Sequence, residues 1–296
     1  MASVDNGLKI FFGGLPGTGK SSCMYSLPGI ESHIFGEGEQ ETIKNFSGRT
    51  DILPPVSFNW WDCLKDEEKD LMVNKDSTEV KISELTELGK YRNISKYRKY
   101  LYSIRRDLET GKRPELKSIG LDNLTPFADE FKSYIMVKYK AELYSKEGNF
   151  DGRKFWPKYA EELSDTIGFL RSIPLNIAVP CHIQYSLDEE NQQKALSPEA
   201  QKLQKEWMPN IDGKLRFSLG GLFSYCFYLW AEEQPGKDTE YFAKLEADQN
   251  NVGLAKGRFQ PFLNPRRIKL PKNNFYNFLV ENISKKIAEG NDAKKV

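Results

Sequence analysis

The chain has 296 residues, of which 39% are hydrophobic and 12% aromatic, and its formal net charge is +1. This composition supports a sizeable core and excludes wholesale disorder, and the balanced charge means that any nucleic-acid surface must be a local cluster. The four cysteines form no CxxC pair, which favours buried thiols in a reducing cytoplasm over a disulfide framework or zinc site. Because there is no signal-peptide pattern and no apolar run of membrane-spanning length, we expect a cytoplasmic protein without membrane contact.

Apolar runs and helical periodicity alternate along the first part of the chain. Leu8–Phe12 predicts a buried strand, and the residues after Lys20 predict a helix. Ser32–Phe35 predicts a second strand, and Gly36–Gly48 predicts a loop. Asp62–Arg113 is highly charged and mostly helical in pattern. Its apolar residues recur at three- and four-residue spacing at Leu85, Leu88, Tyr91, Ile94, Tyr97 and Leu101.

The rest of the chain continues the alternation. The predicted strands are Leu116–Leu121, Leu175–Pro180, Leu222–Ala231 and Tyr241–Glu246. The predicted helices are Pro126–Tyr144, Pro157–Ser172 and Asn274–Lys286. This order predicts an α/β fold with a mainly parallel sheet and helices on both faces. We divide the chain into a core (1–61 and 116–288), a charged helical insertion (62–115) and a flexible tail (289–296).

A phosphate-binding motif follows the first predicted strand. Gly14-Leu15-Pro16-Gly17-Thr18-Gly19-Lys20-Ser21 matches G-x-x-x-x-G-K-[ST], and we add Ser22 to the predicted nucleotide contacts. Glycines let backbone N–H groups converge on a polyphosphate, and a following helix directs its positive end at the same group. Lys20 is predicted to reach the β- and γ-phosphates of ATP, and the Ser21 hydroxyl to ligate Mg²⁺. A chance match in a glycine-rich turn is the alternative.

A Mg²⁺-bound triphosphate needs a second anchor, usually an acidic residue at the end of a neighbouring apolar strand. Asp122 has that position after Lys117–Leu121 and is predicted to hold a magnesium-bound water. The alternative is an aspartate that caps the next helix.

Further candidate catalytic residues lie elsewhere in the chain. Glu37, preferred to Glu39, is predicted to orient the attacking water, and the alternative is a solvated acidic loop. His182 follows a predicted strand and is a candidate γ-phosphate sensor, or else a structural histidine. Lys256 and Arg258 are candidates to neutralise transition-state charge in their own subunit or across an interface, or else belong to an exposed basic loop.

These residues, taken in order, point to a family. The set resembles the phage RecA-like P-loop ATPases of the AAA class, which include phage single-strand annealing proteins with a RecA-type core. The segments that carry the resemblance are Gly14–Ser21, Leu116–Asp122, Asp151–Arg153, Ile177–Gln184, Pro209–Leu215 and Ala255–Arg258. Only the phosphate loop is specific by itself, and 62–113 lies outside the similarity.

The resemblance implies a RecA-like core that binds ATP and Mg²⁺ and acts in DNA recombination, annealing or replication as a ring or filament. It also implies that Lys256 and Arg258 act on the ATP of the neighbouring subunit. Ser118 and Gly120 depart from the aliphatic residues usual in the family strand that ends at the aspartate.

A local basic cluster is the candidate site for single-stranded DNA. Cations bind phosphates and tyrosines stack on bases, so their interleaving is typical of single-strand binding. The alternative is a solvated helix face whose tyrosines pack inward. The basic residues are Lys90, Arg92, Lys96, Arg98, Lys99, Arg105, Arg106, Lys112 and Arg113, and the tyrosines are Tyr91, Tyr97, Tyr100 and Tyr102.

Three functions are compatible with these features. The first is an ATPase of RecA type that acts on single-stranded DNA. The second is a P-loop phosphotransferase such as a nucleoside or nucleotide kinase, for which Arg105 and Arg106 would form the lid. The third is an ATP-binding assembly or regulatory protein with weak hydrolysis, since no water-positioning glutamate stands out.

Overall fold

The structure is a computed structural model that describes residues 7–35, 44, 46, 48–73, 78–186, 206–213, 215–233, 235–246, 255–257 and 260–292. Strands and helices alternate through most of this range, as the sequence pattern predicts. The strands are β1 (Lys9–Gly14), β2 (Ile30–Phe35), β3 (Val56–Phe58), β4 (Ser118–Asp122), β5 (Asn176–Ser186), β6 (Glu206–Pro209), β7 (Tyr225–Glu232), β8 (Glu240–Lys244), β9 (Lys256–Gly257) and β10 (Ile268–Lys269). The helices are α1 (Lys20–Tyr25), α2 (Asp66–Val73), α3 (Glu79–Glu109), α4 (Leu124–Lys138), α5 (Lys140–Leu143), α6 (Gly152–Ser172), α7 (Leu215–Ser218) and α8 (Phe275–Asp292).

One mixed sheet organises the molecule. Its main path runs β10-β8-β7-β1-β5-β4-β2-β3, with β6 paired to β5 and β9 paired to β7. Neighbouring strands along the path β7-β1-β5-β4-β2-β3 are parallel. On the other side of β7, β8 and then β10 are added in antiparallel pairing. The predicted RecA-like α/β fold is therefore confirmed. Since β5 lies between β1 and β4, the carboxyl ends of these three strands meet at one edge of the sheet.

Alternation along β1 assigns its side chains to two cores on opposite faces of the sheet. Phe11 belongs to the core that α3, α4 and α6 cover, together with Tyr97, Phe127 and Leu163. Ile10 and Phe12 belong to the other core, which α1 and α8 cover. Helices therefore pack on both faces, and a strand buried on both sides explains why Leu8–Phe12 is a continuous apolar run.

The long helix α3 forms part of this core. Its residues Ile94, Tyr97, Leu101 and Ile104 are buried, and its face packs against α4. Ile94, Tyr97 and Leu101 are among the periodic apolar positions of the sequence, because a helix brings residues at three- and four-residue spacing onto one side. The division of the chain at 62–115 and at 289–296 stays a prediction, although α8 continues to Asp292.

The polar residues of β4 have tertiary partners. A Cβ on Gly120 would lie 2.8 Å from Cγ of Met24, so the glycine allows α1 to pack closely on the sheet. The Ser118 hydroxyl donates to the Pro28 carbonyl at 2.6 Å. Ser118 and Gly120 therefore replace aliphatic residues in this strand because α1 and the turn after it pack on β4.

Several element boundaries differ from the sequence pattern, and the predicted helix Pro126–Tyr144 consists of two helices, α4 and α5. The largest boundary differences are those of β5 and α6. β5 continues to Ser186, so His182 lies within the strand instead of just beyond its end. The continuation is stabilised by antiparallel pairing with β6, in which Ile183 lies opposite Pro209. α6 begins at Gly152 and includes Pro157, and Asp151 caps it by accepting the Arg153 N–H at 3.0 Å. Among the helices of the described ranges, none has the length and apolarity to cross a bilayer.

Candidate functional site

The phosphate loop lies between β1 and α1, at the carboxyl edge of the sheet. Gly17 and Gly19 have φ values of 77° and 84°, which are accessible to glycine but strained for other residues. Gly14 is needed for a different reason, since a Cβ there would lie 2.9 Å from the Leu229 carbonyl oxygen. The loop thus has the turned backbone that the glycines of the motif predict.

Lys20 is directed across this loop. Its side chain is buried, at 6% exposure, and its ammonium donates to the Leu15 carbonyl at 2.7 Å. The Thr18 hydroxyl donates to the same carbonyl at 2.8 Å. Burial raises the pKa of the Cys181 thiol to about 12, and the positive charge of Lys20 partly offsets that rise. This charge is therefore held inside the loop and near Cys181 of β5.

Ser21 and Asp122 come together although they are far apart in sequence. The Ser21 hydroxyl donates to Oδ1 of Asp122 at 3.4 Å, and Asp122 is fully buried at the end of β4. The next residue, Asn123, accepts the Thr125 N–H at 2.7 Å and so caps α4. The residue that caps this helix is therefore Asn123 and not Asp122, for which capping was the alternative role.

This pair of oxygens suits a magnesium ion, which prefers oxygen ligands and usually keeps waters and phosphate oxygens in its coordination shell. In the ranges that the structure describes, no group of three or more His, Cys, Asp or Glu side chains is arranged to hold a metal. A Mg²⁺ ion at Ser21 and Asp122 would therefore depend on nucleotide oxygens and water for its remaining ligands. The donor set fits an ion that arrives with a nucleotide.

His182 is placed beside the loop by strand pairing. It lies opposite Gly14 in the parallel pairing of β1 and β5. Its N–H donates to the Thr125 hydroxyl at 3.3 Å, and its carbonyl accepts the Asn210 N–H at 2.7 Å. Because Ala178 belongs to the core under α1, alternation directs the His182 side chain to the same face, where the loop lies. His182 as a phosphate sensor stays a prediction.

Of the remaining predicted residues, the structure describes the backbone of Lys256. Glu37, Glu39 and Arg258 lie outside the described residues. The backbone of Lys256 lies on β9, opposite Cys226. Cys226 precedes Leu229 by three residues on β7, and Leu229 lies opposite Gly14 of β1. Lys256 is therefore about 10 Å below the edge of the sheet where the loop begins, at about 3.3 Å per residue.

Two residues near the loop were not predicted from the sequence. Thr125 is the second residue of α4, and its hydroxyl lies 3.6 Å from the Cys181 sulfur. Tyr241 of β8 contacts the loop at Gly19. Neither position carries a motif, and both depend on pairings between distant segments, so no local signal identified them.

Comparison with known proteins adds a fold-level likeness. No protein-family model matches the sequence, and no curated protein matches it. Among solved structures, the chain is similar to a KaiC-like protein from the hyperthermophilic archaeon Pyrococcus horikoshii. The identity is 11%, the alignment covers 89% of each chain, and the TM-score is 0.37. Such a low score does not define a family, and the fold assignment rests on the strand order and the loop.

Proposed function

We propose that this chain binds ATP with Mg²⁺ in the loop Gly14–Ser21, hydrolyses it, and uses it to act on single-stranded DNA. The observation that supports the nucleotide site is that Asp122, at the end of β4, meets the start of α1, where Lys20 and Ser21 lie. A buried ammonium and two magnesium-compatible oxygens lie around a glycine loop. That arrangement suits the triphosphate of a nucleotide and its metal ion.

Calorimetry and turnover assays test this proposal. We expect the purified protein to bind ATP and ADP in the presence of Mg²⁺, and to release phosphate faster when single-stranded DNA is added. Titration with EDTA is expected to abolish turnover, because the metal neutralises charge on the reacting phosphates. A folded protein that binds neither nucleotide would contradict the whole proposal.

A pocket beside the carboxyl end of β3 supports phosphotransfer as a second candidate function. The pocket has a volume of about 250 Å³ and is lined by Phe58, Asn59 and Trp60 after β3 and by Pro126, Asp129 and Glu130 of α4. Burial raises the pKa of Glu130 to about 7, although Asn93 donates a hydrogen bond to it. A carboxyl group with that pKa is suited to accept a proton from a hydroxyl acceptor. Phosphorylated nucleoside in the turnover assay would favour this function.

For the DNA-binding part of the proposal, several basic residues of the cluster already have intrachain partners. Arg92 pairs with Glu68 at 2.5 Å, and Arg98 pairs with Glu162 at 2.7 Å. Arg113 pairs with Glu31 at 2.5 Å, and Tyr97 is fully buried. These residues stabilise the packing of α3, so they are poor choices for a DNA-binding test.

Three other cations of the cluster form what we call the α3 basic surface, which consists of Lys96, Lys99 and Arg106. All three are exposed, and their three- and seven-residue spacing places them along one side of α3. Arg106 has an acidic neighbour, since its Nε lies 3.8 Å from Oδ1 of Asp107. Tyr102 is also exposed, at 58%, and its ring centroid lies 4.3 Å from that of Phe169. Exposed cations near an exposed tyrosine support contact with the phosphates and bases of a single strand.

Reversing the charge of this surface provides the test. We expect the triple variant K96E/K99E/R106E to lose at least about tenfold in affinity for single-stranded DNA at low salt. The slope of log affinity against log salt should fall by about 2, since each lost phosphate contact contributes about 0.7.

The control variant is K140E/R153E/K285E, whose exposed cations lie on α5, α6 and α8. It changes the net charge equally but is expected to keep near-normal DNA affinity. Equal losses in the two variants would show that overall charge, and not the α3 basic surface, determines binding.

Self-association completes the proposal. Lys256 lies below the edge of the sheet and away from its own loop, which favours the alternative in which it acts across a subunit interface. Light scattering with Mg²⁺ and ATP measures whether such an assembly forms.

A further inference from the structure

The ring of Tyr241 lies beside the phosphate loop at Gly19. A Cβ added to Gly19 would lie 3.2 Å from Cδ1 of this ring, with Cε1 and Cγ at 3.6 Å. These distances mean that the ring packs directly on the backbone of the loop. The positive φ of Gly19, 84°, strains any residue with a side chain, and the adjacent ring leaves little space for one.

The register of β7 and β8 explains how the ring reaches the loop. Leu229 of β7 lies opposite Gly14, the last residue of β1. Tyr241 of β8 lies opposite Ala231, two residues further along β7. The β7–β8 pair therefore extends roughly 7 Å past the end of β1, at about 3.3 Å per residue. Tyr241 packs against the core under α1 and α8, so its ring is on the α1 face of the sheet.

The order of the strands indicates how a nucleotide would be oriented in the loop. β4, which carries Asp122, lies two strands from β1 on one side, and β8 lies two strands from β1 on the other. A magnesium ion held by Ser21 and Asp122 would neutralise the terminal phosphates of a bound nucleotide, so the γ-phosphate end would lie on the Asp122 side. A nucleotide in this loop therefore extends its sugar and base towards β7 and β8, where the Tyr241 ring lies.

We propose that Tyr241 is a base-binding residue that stacks on the adenine of the nucleotide. This inference rests on the proposed nucleotide function and adds the subsite that distinguishes a nucleotide from inorganic polyphosphate. Tyr241 is half-buried, so part of its ring remains accessible beside the loop. Stacking needs only the flat ring, so the hydroxyl is dispensable.

The test compares Mg-ATP with magnesium tripolyphosphate by calorimetry in the wild-type protein, Y241A and Y241F. We expect wild type to bind ATP more tightly than tripolyphosphate, and Y241A to lose about tenfold or more in ATP affinity. Y241A should bind tripolyphosphate as wild type does, which also shows that the loop is intact. Y241F should bind both ligands normally.

Each other outcome overturns the inference in a recognisable way. If Y241A loses ATP and tripolyphosphate equally, the ring only supports the loop. If Y241A binds ATP as wild type does, the base lies elsewhere. If wild type binds tripolyphosphate as tightly as ATP, there is no base subsite, although the phosphate site stands. If wild type binds neither ligand, the proposed nucleotide function falls together with this inference.

Discussion

Replacing Lys20 by alanine is expected to lower ATP turnover by at least about 100-fold, the usual cost of removing a donor to transition-state charge. The ammonium is buried in the loop and held by the Leu15 carbonyl, so no neighbouring side chain takes its place without rearrangement. The loop should remain folded, because Thr18 still donates to the same carbonyl. Phosphate release at saturating ATP measures the effect, and thermal unfolding checks the fold.

The control for this prediction is L15A. The Leu15 side chain is 43% exposed, and the substitution leaves intact the carbonyl that Lys20 and Thr18 share. Turnover in L15A is therefore expected to stay within a few-fold of wild type. Full turnover in K20A would mean that the catalytic site is not in this loop.

The second large effect is expected on stability, from a buried polar network between β2 and α3. Glu31 is buried and accepts hydrogen bonds from Arg113 at 2.5 Å, Tyr100 at 2.8 Å and His33 at 3.0 Å. His33 is fully buried and also lies 3.3 Å from the Tyr97 hydroxyl. The network joins β2 to α3 and, through Arg113, to the segment that follows this helix.

R113A is expected to lower the free energy of unfolding by about 3 kcal/mol or more, because it leaves the Glu31 carboxylate buried without its cation. Urea denaturation provides the measurement. R105A is the control, since Arg105 forms an exposed pair with Glu109 on the same helix and such pairs contribute only about 0.3–0.5 kcal/mol. Adding E31Q to R113A should recover part of the loss, since a neutral side chain needs no cation. Equal effects of R113A and R105A would refute this account.

The same network predicts the direction of the pH dependence. Burial by itself would raise the pKa of Glu31, but hydrogen bonds from His33 and Arg113 outweigh it and lower that pKa from 4.5 to about 2. Its stabilising effect is complete above pH 4.5 and is lost as the pH falls towards 2. Burial lowers the pKa of His33 below 6.5, so the unfolded chain takes up a proton that the folded chain resists. Both groups therefore make the protein less stable in acid, and R113A should weaken the part due to Glu31.

The helix α3 illustrates both the reach and the limit of sequence reasoning. Its periodicity predicted a helix, and Ile94, Tyr97 and Leu101 are buried along one face. Its positive charge did not reveal which cations are engaged in the fold. The partners of Arg98 and Arg113 are Glu162 and Glu31, which are 64 and 82 residues away. Only the packed structure separates these residues from the exposed Lys96, Lys99 and Arg106.

Strand boundaries show a similar limit. The apolar run predicted that the His182 strand ends at Pro180, whereas β5 continues to Ser186. Polar residues extend the strand because β6 supplies hydrogen-bonding partners, and such pairing is not encoded in the local pattern. In β4, residues that are unusual for a buried strand belong to it because of tertiary contacts. Ser118 donates to the turn after α1, and Gly120 leaves space for Met24.

The sequence by itself determined the phosphate loop, its flanking strand and helix, and the α/β class. These features depend on contiguous residues, and the conformational freedom of glycine and the alternation of apolar residues act locally. The tertiary structure decided which distant residues accompany the loop. Ser21 meets Asp122 and Gly19 meets Tyr241 only because β4 and β8 take particular places and registers in the sheet. Strand order and register arise from burial and pairing summed over the whole chain, so they are not readable at any one position.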